Sequence, residues 1–172
     1  MGEYMRKCVL DIETESLDPK TGRIICIGVK DIETGEIKVF HCPNEEVMVK
    51  QFVSFFNRNK YSEIIGYNIL FDIRFLFAKC LKYKISARRL FSTKFTDLMV
   101  IMKSTRSMFS LNKAGTLDEW CEFLFRKRKT LNPEDVPLLY QGGGIDEIVE
   151  YNKNDIEMTF RLWERIEYVM RL

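Results

Sequence analysis

Short apolar runs fill the first quarter of the chain, and longer helical stripes fill the rest. Residues 7–12 (KCVLDI) are mostly apolar and too few for a helix, which predicts a buried strand. A loop follows, marked by Asp18-Pro19 and Thr21-Gly22. Residues 23–31 (RIICIGVKD) and 36–41 (EIKVFH) are rich in β-branched residues, with partial alternation, around Glu33-Thr34-Gly35. That is a hairpin pattern, so the chain should open with a three-stranded antiparallel meander. From residue 45 the period changes. Val47, Val49, Phe52, Val53, Phe55 and Phe56 make a helical stripe over 45–59. Residues 63–66 (EIIG) predict a short inner strand, 71–84 a Phe-rich helix, and 95–98 (FTDL) a short strand or a helix entry. Thr116-Leu117-Asp118-Glu119 spells a capping box, which starts a helix near 116, with Ser110 as an alternative start. Residues 126–144 carry turn formers without a period and predict a loop, and beyond Gly144 one long helix runs almost to the end. Strands first, then helices alternating with short strands, point to an α/β sandwich around a mixed sheet.

Composition narrows this picture only a little. The 172 residues fit one domain, 1–172, large enough to bury a core without disulfides. Cys8, Cys26, Cys42, Cys80 and Cys121 are odd in number and scattered, and His41 is the single histidine, which argues against zinc. Cys8 and Cys26 lie in apolar runs and should be reduced core residues, whereas His41 should lie at the surface. Any Ser-His or Cys-His nucleophile would have to use His41. No apolar run reaches the roughly 20 residues that span a bilayer, and the N-terminus meets acids too early for a signal peptide. A cytoplasmic location without membrane contact is therefore expected. A net charge of +2 is too small to announce a nucleic-acid partner.

The candidate chemistry lies in carboxylates. Alternation along a strand puts Asp11 and Glu13 on one face about 6.6 Å apart, close enough to share a cation. Asp31-Ile32-Glu33-Thr34 repeats Asp11-Ile12-Glu13-Thr14 at a hairpin tip, where it should be solvated and inert, so the tetrapeptide alone decides nothing. Tyr151 and Asp155 stand four apart in the last helix, with Ile148, Ile156, Thr159 and Leu162 in neighbouring rows. An acid on such a core-directed face needs a partner or a cation; a Tyr-Asp pair at the rim of the core is the plainer alternative. Asp72 falls near a helix N-terminus, where a carboxylate is favoured by the dipole and where Arg74 is available as a partner.

Taken in order, Asp11-x-Glu13, Asn68-x-x-Phe71-Asp72 and Tyr151-x-x-x-Asp155 resemble the three motifs of the DEDD 3′–5′ exonucleases. The tyrosine resembles the DEDDy branch; the DEDDh branch needs a histidine near 150, where none stands. The resemblance covers roughly residues 7–165. Ile24-Ile25-x-Ile27 and Asp97-Leu98 look most like the exonuclease domain of family B DNA polymerases and its stand-alone relatives. It implies a ribonuclease H-like fold, a mixed sheet flanked by helices. It also implies two divalent cations, Mg²⁺ or Mn²⁺, which suit hard oxygen ligands. Asp11 would bridge both ions, Glu13 and Asp155 would bind the nucleophile-side ion, and Asp72 would support the second. Two ions about 3.5–4 Å apart can stabilise the attacking and leaving oxygens of a phosphodiester displacement. Tyr151, with an ordinary pKa near 10, would orient the attacking water rather than deprotonate it. Leu17 matches the wedge beside the 3′-terminal base, Asn68 and Phe71 line the same pocket, and Thr14 would touch the terminal nucleotide; for Leu17 and Phe71 core packing is the alternative.

The implied activity is release of nucleoside 5′-monophosphates from a nucleic acid with a free 3′ end, single-stranded DNA or also RNA. No polymerase or helicase module accompanies these residues, so proofreading in cis is not expected; DNA repair, replication and RNA end-trimming stay open. A ribonuclease H-like endonuclease and a catalytically silent nucleic-acid-binding module remain as rivals. Two basic runs could follow phosphates. Lys79, Lys82, Lys84, Arg88, Arg89 and Lys94 form one, of which 79–84 reads as a solvated face; Arg126-Lys127-Arg128-Lys129 reads either as such a face or as a substrate contact. Tyr83 and Phe91 are available to stack on bases.

Overall fold

The computed structural model describes residues 6–107 and 115–170. Three β-branched segments form the expected meander: β1 (Lys7–Thr14), β2 (Ile24–Asp31) and β3 (Ile37–His41). Helix α1 (Glu45–Asn59) follows, started by the Asn44 side chain, which accepts from the Val47 amide at 3.0 Å. Next come β4 (Glu63–Gly66), α2 (Ile69–Lys82), α3 (Arg88–Ser92) and β5 (Lys94–Asp97). The second half is helical: α4 (Leu98–Ser107), α5 (Leu117–Phe125), α6 (Val136–Gln141) and α7 (Ile145–Met170). The sheet runs β3-β2-β1-β4-β5, antiparallel across β1–β3 and parallel through β1, β4 and β5.

Alternation along β1 divides the core. Cys8, Leu10 and Ile12 pack with Phe52, Phe56, Phe75 and Leu76 of α1 and α2. Val9 packs on the opposite face with Leu98, Cys121, Ile156 and Leu162. Asp11 and Glu13 share the Val9 face, beneath α7.

Several expectations change. The segment 126–144 is not all loop: a 3₁₀ turn (Pro133–Asp135) leads into α6, whose six residues are too few to show a period, although Val136 is buried. Helix α2 starts two residues early, because the Asp97 carboxylate accepts the Asn68 amide at 2.9 Å and holds Asn68 left-handed at φ 60°. The FTDL segment is both things expected, the end of β5 and the entry to α4. Thr116 caps α5 with the full capping box; the alternative start at Ser110 lies outside the described residues.

Asp31 is buried rather than solvated. It accepts from Arg6 at 2.5 Å, from Tyr61 at 3.1 Å and from the amides of Glu33 and Thr34. Burial works against its charge, but these donors outweigh it and hold its pKa low. Lys79 is buried too, not part of a solvated face. Its ammonium donates to the Gly22 carbonyl at 2.5 Å and lies 3.5 Å from Glu45, which ties the β1–β2 loop to α1 and α2. The Tyr83 hydroxyl donates to Glu45, and Phe91 packs edge-on against Phe77.

Candidate active site

Of β1, only Lys7–Val9 pairs with β4, so the end of β1 has no strand neighbour on that side. The Ile12 amide donates instead to Asp72 of α2 at 2.9 Å. Asp72 therefore reaches the site from the layer opposite α7 and braces β1. Its place in the first turn of α2 agrees with the sequence, but it makes no ion pair with Arg74 among the described residues. On the other edge of β1 the β1–β2 register slips between Glu13 and Thr14, an irregularity of the kind that re-aims side chains next to active sites.

Asp11, Glu13 and Asp155 each present an oxygen within 4.8 Å of the others. Asp72 stands outside that group, although the Asp11 charge still acts on it. Tyr151 is buried one helical turn before Asp155. A cleft of about 540 Å³ opens beside Asp11 and Asp155 and is lined also by Asn68, Thr116 and Lys129. Leu17 is 84% exposed, so core packing is ruled out for it, whereas Phe71 is half-buried against Phe75. The Thr14 hydroxyl donates to the Ser16 carbonyl at 2.8 Å.

Two further residues belong to the site. Lys129 leaves the 126–129 run and turns inward, donating to Asp155 and, at 3.1 Å, to Tyr151. Its neighbour Arg128 instead pairs with Glu122 on the surface. Asn152, fully buried, donates to Asp11 Oδ2 at 2.7 Å. Nothing in the basic run distinguishes Lys129. Asn152 carried a readable signal: an amide between Ile148 and Ile156 on the core face of α7.

So many acids in one place raise one another's pKa. Burial and the Asp155 charge push Asp11 up to about 7 against the pull of Lys129. Burial, then Asp11 and Asp155, raise Glu13; burial and Asp11 raise Asp72. Asp155 is also raised by burial, although Lys129 opposes it. Burial disfavours the Lys129 ammonium, yet Asp155 and Tyr151 outweigh that and raise its pKa, so it stays charged. Burial and Asp155 keep the Tyr151 phenol protonated.

A pH dependence follows. The native state holds a proton on Asp11 up to about pH 7, whereas an unfolded aspartate loses it near pH 3.9. Stability of the metal-free protein should therefore fall as pH rises across that window. Asp31 and Glu63, held low, act in the opposite sense at the acidic end. Thermal melts in a chelator should show a higher midpoint at pH 5.5 than at pH 8. A midpoint that rises toward pH 8 would show that the cluster is not strained by its own charge.

The donor set fits a hard divalent cation. Asp155 Oδ1 is buried without a hydrogen-bond partner among the described residues, and every available ligand is a carboxylate oxygen.

A model of the RNase H superfamily matches residues 8–167. An uncharacterised protein of Methanocaldococcus jannaschii is 28% identical, with 93% of this chain and 94% of that protein covered. A solved structure of the family B DNA polymerase from the hyperthermophilic archaeon Pyrobaculum calidifontis superposes with a TM-score of 0.78 at 19% identity. The match covers 94% of this chain and 24% of the polymerase, so this chain spans about a quarter of its length.

Proposed function

The chain belongs to the RNase H superfamily, and from that premise we propose that it is a metal-dependent 3′–5′ exonuclease of the DEDDy type, residues 1–172 forming its single exonuclease domain. The observation that carries this reading is the convergence of Asp11, Glu13 and Asp155 beside a cleft lined by Asp11, Asp155 and Lys129, whose ammonium also meets Tyr151. Asp11, Glu13 and Asp155 would hold divalent cations, Mg²⁺ or Mn²⁺, with Asp72 supporting from behind β1. Such ions polarise a phosphodiester and make bound water more acidic.

The protein's own groups do the rest. Tyr151, kept protonated, holds the attacking water by a hydrogen bond and takes no proton from it. Lys129 keeps its charge and offers it to the phosphate. Water adds to phosphorus and gives up a proton to solvent, the bond to the 3′ oxygen of the preceding nucleotide breaks, and that oxygen takes up a proton from solvent. A nucleoside 5′-monophosphate leaves. Leu17, exposed on the β1–β2 loop, and Asn68, Phe71 and Thr14 would meet the terminal nucleotide. Single-stranded DNA is the favoured substrate, and RNA is a second.

A matched pair of linear and circular single strands tests the polarity. With Mn²⁺ the linear strand should be consumed to nucleoside 5′-monophosphates and the circle should stay whole. Cleavage of the circle would assign an endonuclease, and two intact substrates would leave only a binding role.

A further inference from the structure

We propose that Asn152, seated in a notch left by Gly28, is a positioning residue that fixes the orientation of Asp11 toward a bound divalent cation; this rests on the proposed reading of Asp11 as a metal ligand. The Asn152 amide donates to Asp11 Oδ2 at 2.7 Å and to the Asp11 carbonyl at 3.3 Å. The Asp11 backbone carbonyl can only accept, so it demands the NH₂ end of the amide, which fixes the flip. The opposite end, Oδ1, is buried with no partner among the described residues. Leaving an acceptor unsatisfied in the core works against folding. A residue chosen for packing alone would not be an asparagine here.

Gly28 explains how the amide fits. It lies opposite Asp11 in the β1–β2 register. A Cβ at residue 28 would meet Asn152 Oδ1 at 2.0 Å and Ile156 Cδ1 at 2.3 Å. Only a residue without a side chain lets α7 bring Asn152 this close to the strand that carries Asp11. With Oδ2 held by the amide, the Asp11 carboxyl is fixed in orientation, and one of its oxygens lies within 4.8 Å of an oxygen each of Glu13 and Asp155. A donor that orients a ligating carboxylate typically changes metal affinity by about 10–100-fold when removed.

The test is calorimetric titration of Mn²⁺ into wild type, Asn152→Ala, Gly28→Ala and the double variant, with a thermal melt of each. Asn152→Ala should bind Mn²⁺ about 10–100-fold more weakly while melting cooperatively. Gly28→Ala should weaken binding more when Asn152 is present than when residue 152 is alanine, where only the contact with Ile156 Cδ1 remains, a non-additivity expected of residues in contact. A merely structural role would lower the melting midpoint and leave the affinity unchanged. Should Asn152→Ala fail to melt cooperatively, Asn152→Ser carries the same expectation. Wild-type affinity in a folded residue-152 variant, or additive losses in the double variant, would overturn the inference. Absence of Mn²⁺ binding by the wild type would overturn the proposed function itself.

Discussion

Asp11→Asn should lower hydrolysis by about a thousandfold while making the metal-free protein more resistant to heat. The first effect follows from losing a carboxylate that would hold cations; their electrostatic stabilisation of a transition state is worth several kcal/mol, and each 1.36 kcal/mol is tenfold in rate. The second follows from the crowding of charge. Above about pH 7 Asp11 is ionised in a buried site beside Asp155, which is why its pKa is so high. The asparagine keeps the acceptor for Asn152 and removes the charge. At pH 8 in a chelator the midpoint should rise by about 2–4 °C, the change that about 1 kcal/mol produces in a chain of this size. Activity and stability moving in opposite directions mark a site built for something other than folding. A variant less stable than the wild type would mean that Asp11 is an ordinary structural residue.

Lys129→Met should do the reverse to the metal-free protein. Lys129 is the cation that meets Asp155 and Tyr151 at the centre of the acidic cluster. Deleting one partner of a buried pair costs about 3–5 kcal/mol, because the other charge is left without compensation. The loss should be largest near pH 8 and smaller near pH 5.5, where the acids can take up protons instead. Mn²⁺ should restore much of the lost stability, since a ligand that binds only the native state stabilises it by mass action. Denaturant melts with chelator and with Mn²⁺ separate these expectations. Equal stabilities for variant and wild type in chelator would remove Lys129 from the site.

These effects show which parts of the site were legible in the sequence. Strands β1–β3 were, because β-branched runs and a Thr-Gly turn leave few alternatives. So were α1, from its aromatic stripe, and the start of α5, from its capping box. Helix α6 was not, since six residues inside a loop carry no period. The two Asp-Ile-Glu-Thr copies are the clearest lesson. Asp31 ends β2 under Arg6 and Tyr61 and is a satisfied structural acid. Asp11 lies opposite Gly28 beneath α7, among other acids. Identical letters thus acquire different chemistry from neighbours 30 and 141 residues away. Lys129 was hidden for the same reason: its partner is on another element, and its own run looks like any solvated basic stretch.

We propose that the Asp11–Glu13–Asp155 cluster makes this chain a metal-dependent exonuclease. A time course on a single-stranded DNA oligonucleotide labelled at its 5′ end, with Mn²⁺ and with chelator, tests it most directly. With Mn²⁺ the ladder should shorten stepwise from the 3′ end, and with chelator the band should stay unchanged. Full-length oligonucleotide after prolonged incubation with Mn²⁺, or shortening that proceeds equally in chelator, would contradict this proposal.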